Sequence, residues 1–256
     1  MTPLRITVLG SGTSSGIPTI GCSCEVCLST DPRDKRLRPS VLLQYDDRNV
    51  MIDTGPDFRT QVLRHRIQHL DAVLYTHAHA DHILGLDDVR PFNYFQKSTI
   101  PLYATDETFA IIRRVFAYAF EEGESSRPRL DLHTMDGAPF PLFGRMFTPV
   151  RLEHGKGTTY GFRTGKLAYL TDHSAVPDES KELLRGLDVL FLDALRRRAH
   201  PTHTTLEDAV KLVDELQPKR AFLTHMCHDL GHAATEAELP PHIRLAYDGL
   251  ELDIEE

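Results

Sequence analysis

The stretch Thr76-His77-Ala78-His79-Ala80-Asp81-His82 decides how the rest of the chain is read. It places three imidazoles and one carboxylate within six positions, directly after the apolar run Ala72-Val73-Leu74-Tyr75. A buried strand ending in a turn can hold such side chains convergent, and imidazole with carboxylate is a donor set for zinc and its borderline neighbours. A solvated His-rich loop would account for one His-x-His pair, but it gives no reason for Asp-His at this spacing. The stretch reads as part of a hydrolytic metal site.

Further donors stand at the ends of other apolar runs. Asp53 follows Val50-Met51-Ile52, Asp172 follows Leu170-Thr171, Asp193 follows Phe191-Leu192, and His225 follows Leu223-Thr224. His154 follows Pro149-Val150-Arg151-Leu152-Glu153. Strand ends are where a rigid sheet aims side chains into one cleft. The runs Ile6–Leu9, Val41–Tyr45, Val50–Asp53, Ala72–Tyr75, Leu167–Leu170, Val189–Leu192 and Ala221–Leu223 read as buried strands. Helical patterns lie between them at 58–67, 107–120, 180–187 and 206–216. In the last, Leu206, Ala209, Val210, Val213 and Leu216 share one face, and Thr204-Thr205-Leu206-Glu207 has the spacing of a capping box. With hairpins at 41–53 and 160–170, the pattern predicts an α/β fold of helix-covered sheets. The polar segment 121–128 reads as an insertion tip within one domain spanning 1–256.

The composition excludes several classes. With 41% hydrophobic and 26% charged residues, the chain has the make-up of an ordinary globular domain. A formal net charge of −8 argues against a broad polyanion-binding surface, although bound divalent cations would make one His-rich cleft locally positive. No window has the length and apolarity of a membrane span. The first residues lack the basic and apolar regions of a secretory signal, so the expected compartment is the cytoplasm. Three of the four cysteines crowd into Cys22-Ser23-Cys24-Glu25-Val26-Cys27. In a chain without export signals, that clustering points to metal rather than disulfides.

The chain resembles the metallo-β-lactamase fold superfamily, whose hydrolases carry the His-x-His-x-Asp-His motif. The resemblance implies an αββα sandwich with a dinuclear site along one edge. It assigns His77, His79 and His154 to one cation, Asp81, His82 and His225 to the other, and Asp172 to a bridge between them. Two such cations, zinc or manganese, can acidify a shared water and clamp the oxygens of an in-line displacement.

Within the superfamily, the cysteines and one later histidine resemble the PhnP-like phosphoribosyl cyclic phosphate phosphodiesterases. By that likeness Cys22, Cys24, Cys27 and His228 hold a structural zinc in an N-terminal loop at about 21–28, with Cys227 as rival fourth ligand and free thiols as the bland alternative. The same likeness places catalysis on His203 and Asp81, with His200 competing for the role of His203. His203 precedes an expected helix start, where an anionic phosphate is favoured. Asp53 and Asp57 are candidates to orient the ligands, Asp53 being the better match. Asp193 stands at a strand end like the other donors, with a loop residue of no catalytic part as its alternative reading. His173 stands where small hydroxyl residues are familiar, to contact substrate or fill surface. Gly10-Ser11-Gly12-Thr13-Ser14-Ser15-Gly16 lacks a Walker lysine and reads as a tight turn beside the site.

The expected activity is therefore hydrolysis of a small cyclic phosphate diester, 5-phosphoribosyl 1,2-cyclic phosphate in the first place, by a possible homodimer. A tRNA 3′-end endonuclease would share the metal ligands, but no basic arm for tRNA is visible. A glyoxalase-type thioester hydrolase leaves the cysteines and His203 unexplained. A weaker likeness is to a cofactor-biosynthesis protein with similar N-terminal cysteines. A zinc-stabilised binding module without turnover does not account for seven convergent donors.

Overall fold

The computed structural model describes residues 3–121 and 127–255, so most of the loop expected at 121–128 lies outside the described residues. The first half of the chain supplies β1 (Leu4–Gly10), β2 (Ser40–Tyr45), β3 (Arg48–Ile52), β4 (Ala72–Leu74), β5 (Ile100–Ala104) and β6 (Leu130–Thr134). The second half supplies β7 (Phe140–Leu142), β8 (Arg145–His154), β9 (Gly157–Thr164) and β10 (Leu167–Tyr169). It continues with β11 (Val189–Asp193), β12 (Arg220–Thr224), β13 (Ile243–Leu245) and β14 (Glu251–Ile254). Two seven-stranded sheets result, in the orders β14-β1-β2-β3-β4-β5-β6 and β13-β12-β11-β10-β9-β8-β7. Each half of the chain builds one sheet, and β14 crosses back to pair antiparallel with β1, Leu4 opposite Ile254.

Side-chain alternation sorts the apolar residues into three layers of core. Leu4, Ile6 and Val8 of β1 meet Phe147, Phe162, Tyr169 and Phe191 between the sheets. On β11, Val189 and Phe191 join that layer, whereas Leu190 and Leu192 face the opposite way. There they pack under the helix Leu206–Leu216, which buries Leu206, Ala209, Val213 and Leu216. The outer face of the first sheet buries Met51, Val73 and Leu102 against Phe58 and Phe109, from the helices Phe58–Arg64 and Asp106–Val115. The four layers are those of the expected αββα sandwich. Fully burying one such side chain stabilises by about 1.5–3 kcal/mol, and the sum lets the fold carry strained and desolvated polar groups at one edge.

The hairpins form, with Val41 opposite Ile52 and Leu167 opposite Thr164. The helix at 206–216 has its expected bounds, but its cap sits one residue later than the spacing implies. Thr205 Oγ1 accepts from Asp208 N–H at 3.1 Å, while Thr204 Oγ1 donates to the His173 carbonyl at 2.8 Å. A buried carbonyl without water outcompetes the cap for that hydroxyl. The pattern at 107–120 divides into the helix Asp106–Val115 and a 3-10 turn, Ala117–Ala119.

Strands β3 and β4 run parallel, as do β10, β11 and β12. Their carboxyl ends gather at one edge of the sandwich, where open α/β sheets hold ligands. Among the described residues no helix is long and apolar enough to cross a membrane.

Candidate metal centre and active site

Three of the candidate donors turn off their strands through strained backbone. Asp53, Asp172 and His225 lie beyond the ends of β3, β10 and β12 with φ of +63°, +52° and +58°. Left-handed backbone costs a non-glycine residue on the order of 1–3 kcal/mol, and here the turn brings each side chain into the shared edge.

The edge holds two donor sets that meet at one carboxylate. His77, His79, His154 and Asp172 each offer an atom within 4.8 Å of the others. His77 Nε2 and His79 Nδ1 lie 2.9 Å apart, and His77 Nε2 lies 3.8 Å from Asp172 Oδ2. In the second set, His82 Nε2 lies 3.2 Å from Asp81 Oδ2 and 3.2 Å from Asp172 Oδ1. His225 Nε2 lies 3.3 Å from Asp172 Oδ1 and 3.6 Å from Asp81 Oδ2. Asp172 thus turns one oxygen to each set. Donors bound tetrahedrally at 2.0–2.1 Å are spaced by about 3.3 Å, which these separations approach.

The chemistry of the pocket fits divalent cations. Asp81 Oδ2, His82 Nε2 and His225 Nε2 are buried with no hydrogen-bond partner in the protein. Each would cost about 1–3 kcal/mol if left so, and all three point to the same spot. The outer atoms of the rings are fixed instead. His82 Nδ1 donates to Asp53 Oδ2 at 2.7 Å, and Asp53 accepts from Thr76 N–H and Oγ1, both at 2.9 Å. His154 Nδ1 donates to the Thr202 carbonyl at 2.7 Å, leaving Nε2 for the cleft.

Charge tells the same story. Burial pulls the His77 and His154 imidazoles below the usual range and keeps them neutral, as ligands must be. Burial also opposes a charge on His82, but Asp172, Asp81 and Asp53 outweigh it and push that ring well above the usual range. His225 is likewise pushed up to about 9, burial being outweighed by Asp172 and the other carboxylates. So many carboxylates in one buried place call for positive charge.

A second donor cluster sits nearby. Cys22, Cys24, Cys27 and His228 converge, with His228 Nδ1 3.3 Å from Cys22 Sγ and 3.5 Å from Cys27 Sγ. Cys227 stands apart, its Sγ accepting from Asp229 N–H at 3.4 Å. Fully buried Arg36 ties this loop to the turn after β12. Its Nη2 donates to the Leu230 carbonyl at 2.6 Å and to Asp34 Oδ1 at 3.1 Å, and its Nη1 to the Cys227 carbonyl at 3.2 Å. The glycine-rich segment 10–16 is indeed a tight turn beside the site: Met226 N–H donates to Ser11 O, and Thr13 N–H to Met226 O, both at 3.1 Å. A Cβ on Gly10 would lie 1.9 Å from the Arg38 carbonyl, so this approach requires glycine.

Asp193 ends strand β11 and is not a loop residue. It is fully buried, and its Oδ2 accepts from His203 Nδ1 at 2.8 Å and from His173 N–H at 3.1 Å. Burial works against its charge, yet hydrogen bonds from His173 and His203 hold the carboxyl below the usual range. Its other oxygen lies 3.7 Å from His225 Nδ1. One carboxylate therefore faces both His203 and His225, whose rings stack at 4.8 Å. The signal was available, since Asp193 ends β11 as Asp53 follows β3. His173 is also buried, not at the surface or the cleft, with Nδ1 3.0 Å from Thr204 Oγ1. His200 accepts from Thr202 N–H at 3.3 Å and shapes the turn, whereas His203 lines the cleft. Asp57 pairs with Arg38 at 3.1 Å and is structural. The cleft over the donor sets measures about 720 Å³ and is walled by the β8–β9 hairpin and the helix Asp106–Val115.

The β-lactamase superfamily domain profile matches residues 48–226, more than half of the chain. A solved structure described as a new diphosphatase from the PhnP family superposes with a TM-score of 0.93 at 50% identity, over 98% of both chains. The chain is a metallo-β-lactamase-fold protein of the PhnP family. That assignment gives it the fold of metallo-hydrolases. The profile match spans both donor sets that meet at Asp172 but not the cysteine triad or His228. Zn²⁺-bound PqqB from Methylobacterium extorquens shares the fold, with a TM-score of 0.80 at 19% identity over 98% of this chain and 100% of its own. An octanoyltransferase from Porphyromonas gingivalis is 38% identical over 99% of this PhnP-family chain and 52% of its own length. The chain thus spans about half the length of that relative.

Proposed function

We propose that this PhnP-family chain hydrolyses a phosphorus–oxygen bond in a small phosphate diester, with 5-phosphoribosyl 1,2-cyclic phosphate as the first candidate. The observation that carries the reading is Asp172, with one oxygen toward each of two donor sets and His203 beside them. Two divalent cations, zinc or manganese, held by His77, His79 and His154, by Asp81, His82 and His225, and by Asp172 between, would supply an acidified water and charge neutralisation at phosphorus. The chain's own groups do the rest. Asp193 accepts from His203 Nδ1–H and fixes the ring, and its charge favours the doubly protonated ring that would donate Nε2–H to the departing oxygen. Asp53 and the Thr202 carbonyl orient His82 and His154. A zinc at Cys22, Cys24, Cys27 and His228 would anchor the loop that leads from His225.

That the 50%-identical PhnP-family relative is described as a diphosphatase supports a second substrate, a diphosphate bridge, whose phosphorus atoms present the same kind of bond. A formal net charge of −8 supports either small substrate over tRNA. The test is a panel on protein purified without chelator: the cyclic phosphate, bis(p-nitrophenyl) phosphate, a dinucleoside diphosphate, a thioester and a pre-tRNA. Turnover of the first three classes with metal dependence is expected. Turnover of the thioester or the pre-tRNA alone overturns the proposal.

A further inference from the structure

We infer that Arg151 and Tyr160 form a subsite for a second, non-reacting phosphate of the substrate. The inference rests on the phosphohydrolase reading and assigns to named residues the phosphate that its first candidate substrate carries beyond the bond that breaks.

Arg151 on β8 and Tyr160 on β9 are directly opposite in the antiparallel ladder, so their side chains share a face. Val150 and Leu152 are buried in the helix-side core, which turns Arg151 the other way, and both Arg151 and Tyr160 line the cleft. Among the described residues lining it, Arg151 is the one lysine or arginine. Its nearest carboxylate, on exposed Glu179, stands 4.0 Å away, at the margin of an ion pair. That pair is long and both partners are exposed, so a phosphate can replace Glu179 and make the two parallel hydrogen bonds that suit a guanidinium.

The backbone under the pair is fixed to the metal edge. Tyr160 N–H donates to the Thr76 carbonyl at 3.0 Å, one residue before His77. Ser180 Oγ donates to the Arg151 carbonyl at 2.6 Å. Across the cleft, the helix Asp106–Val115 presents Glu107, which repels an anion from that wall. For a diester seated over Asp172, the guanidinium that the described lining residues offer to a further phosphate is that of Arg151, with Tyr160 beside it on the facing strand.

The test compares kcat and KM for 5-phosphoribosyl 1,2-cyclic phosphate and for ribose 1,2-cyclic phosphate, which lacks the second phosphate. Arg151→Met is expected to raise KM for the phosphorylated member by about 10- to 100-fold and to leave the other member within about twofold, as loss of a charge-assisted contact implies. Arg151→Lys should recover part of the loss, and Tyr160→Phe should raise KM a few-fold for the same member. A dinucleoside diphosphate run in parallel shows whether the far half of a diphosphate uses the same place, through the same KM change in Arg151→Met. Equal KM changes for both members of the pair, or none, in a variant that still cleaves bis(p-nitrophenyl) phosphate overturn the subsite alone. Wild-type protein inert toward every phosphate substrate overturns the functional reading beneath it.

Discussion

Asp193→Asn is the substitution that most sharply separates a positioning carboxylate from a buried filler. The change keeps size and shape but removes the charge that faces His203 Nδ1 at 2.8 Å and His225 Nδ1 at 3.7 Å. A hydrogen bond to a charged group is worth about 1.5–3 kcal/mol, so the melting temperature should fall by several degrees while the chain stays folded. The effect on rate should be larger. An asparagine turned with its NH₂ to the ring makes Nδ1 an acceptor, and it gives no counter-charge to a ring that donates through both nitrogens, Nδ1–H to residue 193 and Nε2–H to the leaving oxygen. General acid catalysis contributes about 10²- to 10⁴-fold, so a loss of about 10²- to 10³-fold in kcat with little change in KM is expected. If Asp193 acts through His203, the double variant Asp193→Asn/His203→Ala will be no slower than His203→Ala alone. The assay is steady-state turnover of bis(p-nitrophenyl) phosphate by wild type, both single variants and the double, with metal content measured in each. Multiplying losses in the double variant, or kcat unchanged in Asp193→Asn at full metal content, would refute the reasoning.

Other outcomes follow from the same geometry. Cys24→Ser should remove one metal equivalent per chain and lower kcat as well as stability, because the cysteine loop is tied by Arg36 to the turn after His225; elemental analysis with a thermal melt checks this. In chelated protein, His225 is raised from the ordinary 6.5 to about 9, so its stabilising charge is fully present below pH 6.5 and is lost as pH rises through 9. Denaturant melts of chelated protein should lose about 3 kcal/mol across that window, and metal-loaded protein, where cations replace the proton, should not. Gly10→Ala drives a Cβ to within 1.9 Å of the Arg38 carbonyl and should cost at least about 3 kcal/mol, read from urea midpoints. Thr205→Ala removes the cap on Asp208 N–H and should cost about 1 kcal/mol by the same measurement, whereas Thr204→Ala should leave the helix cap intact.

Much of this molecule was legible in its one-dimensional order because two kinds of signal are local. Strands such as Val189–Leu192 and Val50–Ile52 are apolar runs buried on both faces, and the helix Leu206–Leu216 shows its stripe within eleven residues. His77 to His82 announce metal chemistry because neighbours in sequence are neighbours around a turn. The short edge strands β7, β13 and β14 escaped, since three or four residues carry little periodicity and their pairing depends on a neighbouring strand.

What the chain order could not decide are matters of distance between residues far apart along it. Two histidines, 200 and 203, share one loop, and only packing shows that His203 meets Asp193 and the cleft while His200 holds Thr202. His228 rather than Cys227 faces the cysteine triad because the Arg36 bonds and the turn after β12 rotate one toward the loop and the other away. Asp193 and His173 looked peripheral, yet both are sealed inside, where the lack of water makes each polar atom seek a protein partner. Residue types and their spacing determined the donor chemistry and the layered fold; which donors share a site, and which carboxylate steers which imidazole, was decided by desolvation and strand-end geometry in three dimensions.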